Sequence, residues 1–186
     1  MSERFKELVL KTSDTERYRG FESHLLRHSN GLLKKESIGM AGRETGGQRR
    51  KIMTFKEAAL NYYNNFDMNC AEAVLHGAND VLGLGLKDED YKLVGAFGSG
   101  CGCGSICGAV AAGVAVIGIM NIADKAHGSD ASKKAAKFIR EIKKRHGSEQ
   151  CKDLKAKYHD PANRCSITVS VIAEVLDDMR EELNIM

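Results

Sequence analysis

Thr54-Phe55-Lys56-Glu57-Ala58-Ala59-Leu60-Asn61-Tyr62-Tyr63-Asn64-Asn65-Phe66, followed at once by Asp67-Met68-Asn69-Cys70-Ala71-Glu72, decides how the chain reads. Thr54 can accept the amide three residues on while Glu57 reaches back, which is a capping box at a helix start. Phe55, Ala59, Tyr62, Tyr63 and Phe66 then recur at helical spacing and define one apolar face. Asn69 to Glu72 repeats the N-cap pattern, so a second helix is predicted to run to about Leu82 and to stop at Gly83.

Further along, Asp88-Glu89-Asp90 places negative charge in a first turn, and a short helix should reach about Phe97. The run Gly98-Ser99-Gly100-Cys101-Gly102-Cys103-Gly104 cannot hold a stable helix, because so many glycines cost too much entropy. A long apolar helix is predicted from Cys107 to about Ala123. Its apolar part is shorter than the ~18–20 residues needed to span a bilayer, so it reads as a buried central helix. Residues 130–146 are amphipathic, with Ala135, Phe138, Ile139 and Ile142 inward, lysines outward, Ser129 as cap and Gly147 as stop. Residues 149–158 predict a short helix. Pro161 suits the first turn of the last helix, which carries Ile172, Val175, Leu176, Met179 and Leu183. The fold class is therefore all-α: a compact bundle of about five or six helices with a Gly/Cys-rich loop, preceded by a disordered N-terminal segment.

That front segment differs in kind. Residues 1–52 hold 12 Lys+Arg against 7 Asp+Glu, whereas residues 53–186 hold 16 against 18 and contain all six cysteines. The basic excess of the 186-residue chain thus belongs to the front, and it does not argue for nucleic-acid binding by the rest. Gly20-Phe21-Glu22-Ser23 is what GGN-TTC-GAA-TCN encodes, a string that resembles the T-arm of a transfer-RNA gene. His24-Leu25-Leu26-Arg27-His28 continues as an acceptor stem and its CCA end would. We read residues 1–52 as a leader from spurious upstream translation, with Met53 (or Met40) as the native start. A flexible basic tail that binds something acidic is the alternative. Residues 53–186 are expected to form one helical Cys-rich domain, a redox domain on the cysteine argument that follows.

No secretory signal is visible, so the expected compartment is the cytoplasm, where clustered thiols bind metal or do redox chemistry rather than form structural staples. Cys70 follows an N-cap Asn, Cys107 opens the central helix, Cys151 lies just after Ser148, and Cys165 falls early in the last helix. Four thiols from four helices should each have a lowered pKa from unpaired amides and the helix dipole. Cys101 and Cys103 extend a C-x-C-x3-C run to Cys107 that matches neither zinc, C-x-x-C nor common ferredoxin spacings, and they are candidate additional cofactor ligands. His159 is the best histidine for a supplementary ligand. No nucleotide loop and no nucleophile elbow is present.

FDMNCAEAVL, the Gly-rich stretch into CGAVAAG, and the two later single cysteines resemble the C_GCAxxG_C_C family of redox-active proteins over nearly all of residues 53–186. The match departs at the CGAxxG element, where Ala112 occupies the last Gly position and Gly113 follows. The resemblance implies Cys70, Cys107, Cys151 and Cys165 as the signature cysteines. It also implies a redox role in which they hold an iron–sulfur cluster or another thiolate-bound metal for electron transfer with an unidentified partner. Two further readings stay open. One is a metal-free thiol–disulfide oxidoreductase or redox sensor using the same four thiols. The other is a structural zinc module that binds a partner.

Overall fold

The computed structural model describes residues 53–186, so the expectations for residues 1–52 lie outside the described residues. The described residues form eight α-helices: α1 (Phe55–Asn65), α2 (Cys70–Leu82), α3 (Asp88–Gly95), α4 (Gly108–Asn121), α5 (Ala131–His146), α6 (Cys151–Tyr158), α7 (Ser166–Asp178) and α8 (Arg180–Leu183). Among them no helix is long and apolar enough to cross a membrane.

Both predicted capping boxes form. Thr54 Oγ1 accepts from Glu57 N at 3.1 Å while Glu57 Oε2 accepts from Thr54 N at 3.2 Å. Asn69 Oδ1 accepts from Ala71 N at 2.8 Å and from Glu72 N at 3.2 Å, and Glu72 returns the bond to Asn69 N. The start of α1 gains a second anchor that local sequence does not encode. The Asp177 carboxylate, near the end of α7, accepts from Phe55 N at 2.9 Å and Lys56 N at 3.0 Å. Arg180 holds that carboxylate at 2.7 Å and lies 4.2 Å over the Phe55 ring. A negative charge at a helix N-terminus is favourable, so α1 and α7 are tied end to end.

Apolar α4 runs through the middle with Ala109, Val110, Ala112, Val116 and Ile117 at 0 % exposure, packed against α2, α5 and α7. α1 packs extensively on α2. At Gly77 a Cβ would stand 2.6 Å from the backbone nitrogen of Ala59, so only glycine permits this approach.

Several boundaries differ from the sequence reading. The last helix breaks at Met179 into α7 and α8, although its predicted inward residues are all buried. Pro161 sits in a turn before α7, where Asp160 Oδ1 accepts from Ala162 N and Asn163 N, and Cys165 is the N-cap. The N-cap of α5 is Asp130 rather than Ser129, whose hydroxyl still accepts from Ala131 N at 3.3 Å. Phe66 falls at the end of α1 and is 56 % exposed, against Tyr62 rather than in the core. The Gly/Cys loop makes one wide turn over Gly100–Gly104, with left-handed backbone at Ser99, Gly100, Cys101, Gly102 and Gly104. Gly100 is required there, since a Cβ would meet that of Cys151 at 2.5 Å.

Gly77→Ala tests the α1–α2 contact. Helix propensity alone favours alanine by about 1 kcal/mol, but overpacking against rigid backbone costs about 1–3 kcal/mol. Urea unfolding should show a net loss of up to about 2 kcal/mol. A midpoint raised by the full propensity gain would show that the helices part without cost.

Candidate functional site

The four predicted cysteines arrive at one place by three separate connections. Asn69, the N-cap that sets Cys70 as the first residue of α2, also donates through Nδ2 to Gly95 O at 2.9 Å, which fastens the start of α2 to the end of α3. An isolated antiparallel bridge between Ile106 and Gln150 clips the segment before α4 to the segment before α6. Its bonds are Cys107 N to Glu149 O at 2.9 Å and Cys151 N to Ser105 O at 2.6 Å, so the backbone itself fixes the segments carrying Cys107 and Cys151 against each other, with the two cysteines at opposite ends of the bridge. Cys165, capping α7, donates its N–H to the Tyr63 hydroxyl of α1 at 2.9 Å. The result is a cavity of about 250 Å³ whose lining includes Cys70, Cys107, Cys151 and Cys165.

Within the cavity, Cys70 and Cys107 form a hydrogen-bonded pair of sulfurs. The Cys70 sulfur also accepts from the backbone N–H groups of Cys70, Gly108 and Ala109, so the first amides of α2 and of α4 converge on one atom. Gly108 makes this possible: a Cβ there would stand 2.8 Å from Cys70 Sγ and 2.7 Å from Phe97 O. The Cys107 thiol donates to Cys70, and with the amides it outweighs burial, drawing the Cys70 pKa down to about 7. Cys107 is pushed strongly upward, because its proton is held between the two sulfurs, because it is buried and because it faces the Cys70 charge. The pair therefore carries one proton near neutral pH, with the negative charge on Cys70.

The expectation of four lowered pKa values is corrected for the other three thiols. Each does sit at a helix start, but burial raises Cys151 and Cys165, and a nearby lysine, Lys155, only partly opposes it. A helix N-terminus stabilises a thiolate when its amides reach the sulfur. At Cys151 the first amide is spent on the bridge to Ser105, and at Cys165 it goes to Tyr63.

The remaining candidates fall outside this pair. Cys101 and Cys103 are exposed and do not line the cavity, and the Cys103 thiol donates to Gly100 O at 3.4 Å. His159, ending α6, is exposed at the cavity edge. Sequence reading missed Tyr63, Thr168, Lys155 and Arg164, all of which line the cavity. Tyr63 was visible only as a core aromatic, and none of the others falls in a motif. It also missed the stack of His76 between Tyr62 and Tyr91, with ring centroids 4.8 Å and 3.4 Å away. Thiolate sulfur is a chemically apt donor for iron or zinc. As arranged, however, no group of three or more His, Cys, Asp and Glu side chains among the described residues is placed to hold a metal ion.

A family model described as "Putative redox-active protein (C_GCAxxG_C_C)" matches residues 68–179, a span that contains all six cysteines. No curated protein and no solved structure matches the chain.

The pair has a pH signature. Alkylation of Cys70 by iodoacetamide, followed peptide by peptide, should rise through a midpoint near 7 and level off above it. In Cys107→Ala the lost S–H donor, about 1.5 kcal/mol or more for a hydrogen bond to a charged group, should move the midpoint up by about one pH unit. An unmoved midpoint would show that Cys107 does not hold the charge.

Proposed function

This chain belongs to the C_GCAxxG_C_C family, and we propose that it is redox-active, with the dithiol of Cys70 and Cys107 as its centre, working by thiol–disulfide exchange. The observation that carries this reading is the convergence of the Cys107 thiol and the backbone amides of two helix starts on the Cys70 sulfur. A thiolate that persists near pH 7 is a nucleophile, and a thiol already in contact with it is placed to resolve the product.

The exchange runs in two steps. The Cys70 thiolate attacks one sulfur of an incoming disulfide R–S–S–R′, forming Cys70–S–S–R and releasing R′–S⁻. The Cys107 proton passes to R′–S⁻, and the Cys107 sulfur then attacks Cys70 Sγ, closing the Cys70–Cys107 disulfide and expelling R–S⁻. Two electrons move from the protein dithiol to R–S–S–R′, which leaves as R–S⁻ and R′–SH. Run in reverse, the same steps oxidise a partner dithiol. A reducing compartment such as the cytoplasm would keep the pair in its dithiol form.

A second reading, an iron–sulfur or other thiolate-bound metal centre for electron transfer, is supported by the facing of Cys70, Cys107, Cys151 and Cys165 onto one cavity. The thiols as arranged do not fit a metal ion, and that reading requires Cys151 and Cys165 to close onto the first pair.

Purification without oxygen, with measurement of metal and acid-labile sulfide and disulfide mapping after mild oxidation, separates these. The dithiol reading predicts metal-free protein and a Cys70–Cys107 disulfide formed with the loss of two electrons. Stoichiometric iron with sulfide would replace it with the metal centre, and stoichiometric zinc without redox activity would replace both with a structural module.

A further inference from the structure

The thiol cavity carries features that exchange between Cys70 and Cys107 does not use. Thr168 is 2 % exposed on α7, lines the cavity, and its Oγ1 has no hydrogen-bond partner. A buried hydroxyl left unpaired is destabilising, so a native structure holding one invites a ligand that completes it. Two cations stand at the rim. Lys155 makes no ion pair among the described residues; Arg164 lies over the Tyr63 ring and donates to Tyr63 O at 3.4 Å, and its one carboxylate among the described residues is Asp67 at 3.6 Å, 99 % exposed. None of the lining residues is Asp or Glu. The cavity also gathers the starts of α2, α4, α6 and α7, helices of 13, 14, 8 and 13 residues, each of which presents the positive end of its dipole.

Resting on the thiol-exchange reading, we propose that this cavity is a binding site for a small anionic disulfide, one whose ends carry carboxylates. The thiol pair meets the central S–S bond, Lys155 and Arg164 receive the carboxylates, and the Thr168 hydroxyl donates to the ligand. A cavity of about 250 Å³ is below the ~300–1,000 Å³ of drug-sized clefts, which favours a small molecule over a disulfide on a protein surface. The electron balance is that of the exchange above: two electrons leave Cys70 and Cys107, and the disulfide becomes two carboxylate-bearing thiols that share the Cys107 proton.

The test separates binding from chemistry. Suberate and 1,6-diaminohexane match 3,3′-dithiodipropionate and cystamine in length but cannot exchange. In the full chain, suberate should protect Cys70 from iodoacetamide, read on the Cys70 peptide, and the diamine should not. Lys155→Gln should weaken suberate protection roughly threefold or more at low salt. Thr168→Val should weaken it too while raising the unfolding midpoint, which a merely structural hydroxyl bonded within the fold would lower. Equal protection by both compounds, or by neither, overturns the proposal. A parallel arm compares oxidation of the reduced protein by the two disulfides. Oxidation by neither, with suberate protection intact, would overturn the exchange reading and leave the anion site standing.

Discussion

The hydrogen bond from the Cys107 thiol to the Cys70 sulfur is the contact on which the site depends. Two buried thiols side by side would ordinarily both stay protonated, since burial disfavours thiolate. Here the thiol-to-sulfur bond and the balance of amides against burial break the tie. The Cys70 sulfur receives N–H groups from its own residue and from Gly108 and Ala109 of α4, and these with the Cys107 thiol outweigh burial; at Cys107 the amides of Ala109 and Val110 are outweighed by the proton it holds toward Cys70 and by burial. Charge therefore settles on Cys70, and Cys107 becomes the proton holder. This division of labour suits an attacking sulfur and a resolving one without any other acid or base.

The rest of the fold keeps those amides aimed. Asn69 sets the start of α2 and ties it to α3. The absence of a Cβ at Gly108 lets α4 begin against the Cys70 sulfur. The Ile106–Gln150 bridge fixes the approach to α4 and brings Cys151 beside it. Farther off, the Asp177–Arg180 pair locks α1 to α7, which carries Thr168 and the Cys165 cap. Each of these is a backbone or cap interaction at a helix end, so the site is built where helices start rather than along their faces.

That construction explains what the sequence disclosed. Capping boxes at Thr54 and Asn69, and apolar periodicity in α5 and α7, are local signals, and they made the all-α fold and the helix starts legible. The four cysteines were legible as a group because each falls at such a start. Their individual chemistry was not. Whether an N-terminal amide reaches a sulfur, as at Cys70, or is spent elsewhere, as at Cys151 and Cys165, depends on contacts between segments far apart in the chain. The Ile106–Gln150 bridge has no alternating pattern to announce it, and Thr168, Lys155 and Arg164 join the cavity only through tertiary packing. Cys101 and Cys103 are close to Cys107 in sequence, but the left-handed turn of the loop carries them to the surface.

The most direct measurement traps the first covalent step. On the proposed exchange, Cys107→Ser removes the resolving sulfur, so an adduct at Cys70 would persist. After one equivalent of a small disulfide near neutral pH, mass spectrometry should locate the mixed disulfide on Cys70. An adduct confined to the exposed Cys101 and Cys103, with Cys70 unmodified, would contradict the assignment of Cys70 as the nucleophile.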